Sequence, residues 1–247
     1  MLGAAERAER DALRDFLALA PSELGARVVE SGTAVALSLG AAPGQIEFNR
    51  IIGLTRIEQL DELAPSYGGA AHWVSLDPAA GLDATLLERG YTHGYAWQKF
   101  ERGVEPYDAT TALTVEEARE PRDYAETVIA GFGLPDAFAW TETLVGRSGW
   151  HCFVAYDGDT PAGAGTLYVS GDAGWLGAAA TRPEQRGRGA QGAILAARIE
   201  RARELGLVQL FTETGVPRDG VAGASYRNIV RAGFREAYVR PNYAAPV

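Results

Sequence analysis

The apolar positions change period several times along the first hundred residues. Ala5 to Leu19 read as an amphipathic helix closed by "APSELG", and "ARVVES" and "TAVALSLG" read as two strands. A third strand is expected at "GQIEFNRIIGL", followed by a helix at "IEQLDELAPSYGG" that its Pro and Gly terminate. Beyond these come "AAHWVSL", a short helix "LDATLLERG" and "YAWQKFERG". Strands alternating with helices predict an α/β layer.

Gly, Pro and Asp punctuate "ERGVEPYDATT", residues 101–111, which marks a linker between two patterned blocks. The expected blocks are 1–104 and 110–247. In the second, helices are expected at "VEEAREPRDYAETVIAGFG" and "PDAFAWTETLVGR" and strands at "HCFVAYDG", "PAGAGTLYVSG" and "AGWLGAAAT". A glycine-rich turn then opens another helix, and the strand "LVQLFTETG", the helix "GASYRNIVRAG" and the strand "FREAYVRPNY" follow. "LLERGYTHGYAWQKFER" and "NIVRAGFREAYVRPNY" share a helix, a Gly-aromatic step and a strand, with Gly90-Tyr91 matching Gly233-Phe234. The two blocks therefore read as distant copies, only the second of which carries the glycine-rich turn.

Composition narrows the chemistry. The chain has 247 residues and a formal net charge of −9, which argues against a nucleic-acid partner. Apolar runs fall short of the roughly 20 residues that a membrane span needs, and the charged start does not resemble a signal peptide, so a cytoplasmic protein is expected. One cysteine, Cys152, and three scattered histidines offer no spacing of metal ligands, and no metal is expected.

Against this acidic balance, "TRPEQRGRGAQGAILAARI", residues 181–199, concentrates arginine and glycine at a helix start. The first backbone N–H groups of a helix lack intrahelical partners, and with the macrodipole they attract an anion by about 0.3 to 2 kcal/mol. Gly187 and Gly189 allow close backbone approach, and Arg186 and Arg188 add charge-assisted donors, so the stretch reads as a diphosphate cradle. Behind it, Leu195, Ile199, Ala202 and Leu205 form the expected buried stripe, Arg198, Arg201 and Arg203 the solvated face, and Gly206 the stop. There is no Gly-Lys-Ser/Thr, and a dinucleotide fingerprint would need differently spaced glycines and an acidic residue further on.

"ATRPEQRGRGAQGAIL" resembles the acyl-CoA loop of the GNAT-type N-acetyltransferase superfamily, Gln/Arg-x-x-Gly-x-Gly/Ala after a strand and a Pro. Arg186 and Gly189 match the first two fixed positions; Gln191 stands where the family has Gly or Ala, and Gly192 follows one residue late. "LFTETG" and then "GASYRNIVRAGF" are similar to the next family element, an Asn-x-x-Ala-x-x-x-Tyr helix ending in Gly-Phe. Counted back from Gly233-Phe234, its Asn, Ala and Tyr positions hold Ala222, Ser225 and Ile229, so the tyrosine that many relatives use as a general acid is missing. The resemblance spans about residues 110–240 and suggests a tandem, two-lobed member whose N-terminal lobe is degenerate, since "IEFNRIIGL" runs on into "TRIEQLDEL" without a glycine loop.

That resemblance implies an α/β fold with mixed, largely antiparallel sheet whose two central parallel strands splay apart. Ala179, Ala180 and Thr181 would pair with the pantetheine arm of acetyl-CoA, the acyl donor, while Arg186, Gly187, Arg188, Gly189, Ala190, Gln191, Gly192 and Asn228 would hold the rest of it. An N–H in the 179–181 stretch would polarise the thioester carbonyl. Acyl transfer needs a neutral amine, so a proton acceptor is required; Glu213 at a strand end is the candidate base, with Tyr226 and Ser225 as candidate acids and Tyr238 and Tyr243 in reserve. Arg227 is expected with Asn228 at the cofactor's far end. Cys152, His72, His93 and His151 read as structural. The acceptor is expected to be a small-molecule or peptide amine, with "EFNRIIGL", Trp73, Tyr95 and Trp97 as candidates for one wall of its cleft. The expected function is direct acyl transfer; the alternative is a non-catalytic acyl-CoA-binding regulatory or partner-binding protein.

Overall fold

Small apolar residues one helical turn apart let "AAERAERDALRDFL" form α1 (Ala4–Leu17) with Ala5, Ala8, Ala12, Leu13 and Leu17 buried. The computed structural model describes residues 2–217 and 219–246. It resolves the chain into two units, Met1–Gln98 with Tyr238–Val247, and Lys99–Ala237.

In the first unit, α1 is followed by β1 (Ala26–Ser31), β2 (Ala34–Leu39), β3 (Arg50–Ile52), α2 (Ile57–Leu63), β4 (Trp73–Ser75), α3 (Asp83–Glu88) and β5 (Thr92–His93). The expected third strand is confined to Arg50–Ile52 because Asn49 turns the chain: its amide donates to Ala42 O and Gln45 O and its Oδ1 accepts from Leu39 N. Leu54, Leu60, Leu63, Val74, Leu86 and Tyr91 fill the core. Buried charges complete it: Arg240 pairs with Glu6 and Glu9, Arg50 with Glu9, and both guanidiniums lie over the Trp97 ring.

β6 (Trp97–Arg102) carries the chain at Lys99 into the second unit, which runs on through β7 (Thr114–Glu117), α4 (Pro121–Phe132), β8 (Trp150–Asp157), β9 (Thr160–Ser170) and β10 (Ala173–Thr181). It then runs through α5 (Ala190–Glu204), β11 (Gln209–Gly215), α6 (Ala224–Arg231) and β12 (Arg235–Arg240); β13 (Asn242–Ala244) follows. A seven-stranded sheet runs β12-β6-β11-β10-β9-β8-β7, with β7 to β10 antiparallel and β10 parallel to β11. Phe100, Leu167, Leu176, Leu195, Ile199, Leu210 and Phe234 form its main core.

The expected boundaries shift at two places. The segment from Lys99 belongs to the second unit because β6 lies between β11 and β12. Tyr238–Val247 belongs to the first because β13 pairs with β4, Asn242 opposite Ser75, and with β5 in the six-stranded sheet β1-β2-β3-β4-β13-β5. The helix expected from Val115 begins only at Pro121, since "TVEE" pairs with β8 as an edge strand. Residues Asp136–Leu144 wind as a tighter 3-10 helix.

Helices cover both faces of the second sheet through glycine contacts. At Gly163 on β9 an added Cβ would lie 3.0 Å from Ala190 Cβ, and at Gly165 2.9 Å from Ile194 Cγ2, so α5 lies directly on that face. Ala180 is paired with Ala164, which alternation turns to the other face. There a Cβ on Gly131 of α4 would lie 2.6 Å from Ala180 Cβ. No helix among the described residues is long and apolar enough to cross a membrane.

Candidate functional site

The ladder between β10 and β11 runs through Ala173–Gln209, Gly174–Leu210 and Trp175–Phe211 and then stops, although both strands continue. One residue further, the Thr212 hydroxyl donates to Leu176 O at 2.8 Å, a side chain spanning the point of divergence. On the other edge of β10, Gly177 is paired with Thr166 and Ala180 with Ala164, so β10 carries one extra residue. This is a β-bulge, and Ala178 takes a φ of +46° to make it. A non-glycine residue in the left-handed region costs about 1 to 2 kcal/mol, strain that the surrounding bonds hold in place. Ala178, Ala179 and Thr181 are half-buried and Ala180 is buried, beside the gap that the divergence opens.

Past β10 the chain turns through Pro183–Gln185 into the glycine-rich loop. Gly187 and Gly189 have φ of +82° and +88°, and Gly189 is the residue that precedes α5. The N–H groups of Ala190, Gln191 and Gly192 have no partner among the described residues, so the start of α5 presents three open donors. Arg186 is exposed without an ion pair among the described residues. Arg188 is otherwise engaged, with Asp157 and with Gln185 Oε1 at 2.9 Å. The two glycines also differ. A Cβ on Gly187 would meet open space, whereas one on Gly189 would lie 3.1 Å from Thr111 Cβ and Oγ1, and the Thr111 hydroxyl donates to Arg188 O.

Gln191, the departure from the family pattern, joins two helices. Its amide donates to Ser225 Oγ at 2.9 Å and its Oε1 accepts from Asn228 Nδ2 at 2.8 Å. Ser225 and Asn228 of α6 are thereby held against the first turn of α5. Arg227 donates instead to Ala222 O.

Glu213 lies on β11 beyond the end of the ladder, and its Oε2 accepts from Lys99 Nζ at 2.5 Å and from Trp175 Nε1 at 3.4 Å. Lys99 is 1% exposed and Glu213 15%, so the carboxylate is the side of the pair that reaches solvent. Tyr226 donates its hydroxyl to Glu236, which together with partial burial raises its pKa, and its ring packs edge-on against Phe100. Tyr238 and Tyr243 belong to the first unit, where their hydroxyls donate to Glu6 and Asp83. Cys152 is buried, and desolvation pushes its thiol up to about 12. His72 stacks on Tyr67 and His93 lies against Tyr243, while His151 has a partner in Glu117 at 2.7 Å. Asn49 and Arg50 of "EFNRIIGL" bond within the first unit. No group of His, Cys, Asp or Glu able to hold a metal occurs among the described residues.

One expected surface residue is buried. Arg198 is 1% exposed, and its guanidinium donates to Thr166 O at 3.0 Å, Gly177 O at 3.2 Å and Ile194 O at 3.3 Å. The reason was present in the sequence: 198 is four residues from both Ile194 and Ala202 and so lies on the apolar stripe. Arg201 and Arg203 do lie on the solvated side, paired with Glu204 and Glu200. Lys99, Trp175 and Gly131 carry no motif, and only the fold brings them to the site.

Residues 114–226 match the family model described as the acetyltransferase (GNAT) family. Among solved structures, the chain is similar to a GCN5-related N-acetyltransferase from Kribbella flavida, with a TM-score of 0.67 at 13% identity over 100% of this chain and 97% of that one. It is also similar to a GCN5-related N-acetyltransferase from Sphaerobacter thermophilus, with a TM-score of 0.60 at 14% identity over 87% of this chain and 81% of that one. A tandem GNAT protein from the clavulanic acid biosynthesis pathway gives 0.56 at 15%, covering 79% and 74% of the two chains. No curated protein matches the sequence.

Proposed function

Because residues 114–226 match the model of the acetyltransferase (GNAT) family, we propose that this protein transfers an acyl group, acetyl in the simplest case, from acyl-CoA directly to a small-molecule or peptide amine. The observation that carries the reading is the gap opening after Trp175–Phe211 beside the open N–H groups at the start of α5. Ala179 to Thr181 offer backbone to an extended pantetheine arm, and Ala190, Gln191, Gly192 and Arg186 face the diphosphate in this reading. The N–H at the bulge polarises the thioester carbonyl, which makes its carbon more electrophilic.

Glu213, exposed at its open edge, takes the proton that the amine must lose, directly or through water, while Lys99 and the Trp175 N–H fix its orientation. Ser225 accepts from Gln191 and so keeps its own O–H for the departing sulfur, whereas the Tyr226 proton is committed to Glu236. The first unit is read as the degenerate second lobe. Its parallel pair β3 and β4 supports this, as does the passage from β3 to α2 without a glycine loop.

Calorimetric titration with acetyl-CoA and CoA tests the reading. Arg186→Glu replaces an exposed cation and is expected to weaken both ligands by about tenfold or more with the melting temperature unchanged. Gly189→Glu is a poorer probe, since any side chain there collides with Thr111. Absence of binding to the unmodified protein would overturn the assignment. A second reading, acyl-CoA binding without turnover, is favoured by the buried Ile229 at the family's tyrosine position; thioester consumption with an amine panel separates the two.

A further inference from the structure

We propose that Arg198 is a positioning residue that aims the backbone N–H of Ala178 into the gap between β10 and β11, acting through the carbonyl of Gly177. The inference rests on the acyl-donor reading above. Beside the β9–β10 pairing itself, Gly177 O receives two side-chain donors, Thr166 Oγ1 at 3.0 Å and Arg198 Nη1 at 3.2 Å. Thr166 is the β9 partner of Gly177, so this carbonyl is held toward the β9 side of the strand. In a planar trans peptide the C=O and the following N–H point in opposite directions. Fixing Gly177 O toward β9 therefore fixes the Ala178 N–H toward β11, at a level where the β10–β11 ladder has already ended.

The same guanidinium accepts a second task on the partner strand, where its Nη1 donates to Thr166 O. Arg198 thus spans both strands at the irregularity. The bulge needs such a device. Ala178 pays strain at φ +46°, and without restraint its peptide has a lower-energy orientation to turn to. An aliphatic side chain would serve the packing of α5 equally well, because Ile194, Leu195, Ile199 and Ala202 already make that stripe apolar. Burying a cation there is costly, and desolvation lowers the pKa of the guanidinium accordingly. The oxygens that compensate it across the helix–sheet junction are those of the bulge and its partner strand. The geometry assigns the charge to holding a peptide plane rather than to holding α5.

The test compares acetyl-CoA with CoA by calorimetric titration in the unmodified protein, in the nearly isosteric Thr166→Val, and in Arg198→Met, which keeps an unbranched apolar side chain; each variant removes one side-chain donor to Gly177 O. The two ligands share every phosphate and pantetheine contact and differ in the thioester carbonyl. The unmodified protein is expected to prefer acetyl-CoA by about fivefold, the size of one ordinary hydrogen bond. Both variants should lose that preference while their CoA affinity stays within about twofold. Retention of the preference in Arg198→Met, or its absence from the unmodified protein, would overturn the role of Arg198. So would equal weakening of both ligands, which is what a merely structural arginine gives. Should Arg198→Met fail to fold, Arg198→Leu, an aliphatic side chain of the kind that already lines this face of α5, takes its place and is judged by the same outcomes. If the unmodified protein binds neither ligand, the acyl-donor reading itself fails, and that result is distinct from the others.

Discussion

Lys99 and Glu213 meet at 2.5 Å with the lysine almost entirely out of water. Glu213→Gln would remove the carboxylate paired with this ammonium, and breaking a buried ion pair by removing one partner costs about 3 to 5 kcal/mol. Discounted for the exposed side of Glu213, a loss of about 2 to 3 kcal/mol is expected in denaturant unfolding, together with reduced acyl transfer. The double variant Lys99→Met, Glu213→Gln should recover most of the stability and none of the activity; recovery of both would remove Glu213 from the chemistry. At this scale the sequence was partly legible. Arg186, Gly187, Gly189 and the strand-end Glu213 were readable as candidates because helix starts and strand ends have local chemical signatures. Lys99 did not, since nothing in "WQKFER" records which strand will lie beside it. Arg198 was misjudged as solvated because a charged side chain outweighed its place on the stripe.

Between elements, the closest approach at the site is that of α4 to β10. A methyl group on Gly131 would lie 2.6 Å from Ala180 Cβ, 3.0 Å from Thr181 N and 3.2 Å from Thr181 O, so either α4 or the backbone of β10 must move. Overpacking of this kind typically costs about 1 to 3 kcal/mol. Gly131→Ala is therefore expected to lower the melting temperature and to weaken acetyl-CoA binding several-fold, because the displaced residues are those proposed to pair with the pantetheine arm. Unchanged affinity would show that α4 does not set the width of the gap. The long strands β8, β9 and β10 were readable from their apolar runs, and α5 from its period. β7 was not: "TVEE" is an exposed edge strand whose pairing with β8, rather than any apolar pattern, makes it a strand. The segment Asp136–Leu144 has a helical composition, and its tightening to 3-10 geometry has no local signal.

Across the whole molecule, buried titratable groups limit stability at both ends of the pH scale, with buried tyrosines of both units, Tyr67 and Tyr124 among them, raised like Cys152. In the first unit, desolvation lowers the pKa of His72, which sits against Tyr67 with its Nε2 3.2 Å from the Tyr91 hydroxyl. The unfolded chain takes up a proton below about pH 6.5 that the folded His72 resists, so this contribution to stability is present above that pH and is lost as the pH falls. In the second unit, Cys152 is held up to about 12, so its contribution is full below about pH 9 and declines as the pH rises toward 12. Cys152→Ala should flatten the alkaline limb of the stability curve and leave the acidic limb alone, and His72→Gln should do the reverse; thermal melts from pH 5 to 11 would show it. The shared helix, Gly-aromatic and strand pattern suggested two blocks, and the chain separates into two compact units. Its limits were not, because alternation tells which residues form a strand and leaves open the sheet that it joins.

The strand Asn242–Ala244, placed between β4 and β5, has a consequence for the order in which the protein can be made. On the ribosome the residues up to Gln98 emerge early, yet their sheet lacks an interior strand until residue 244 has been synthesised. The second unit, translated later, has all its residues available once Ala237 has left the exit tunnel. The part of the nascent chain that appears first is therefore the last able to complete its native pairing, and throughout synthesis β4 and β5 wait with open edges that a chaperone or a neighbouring chain could reach.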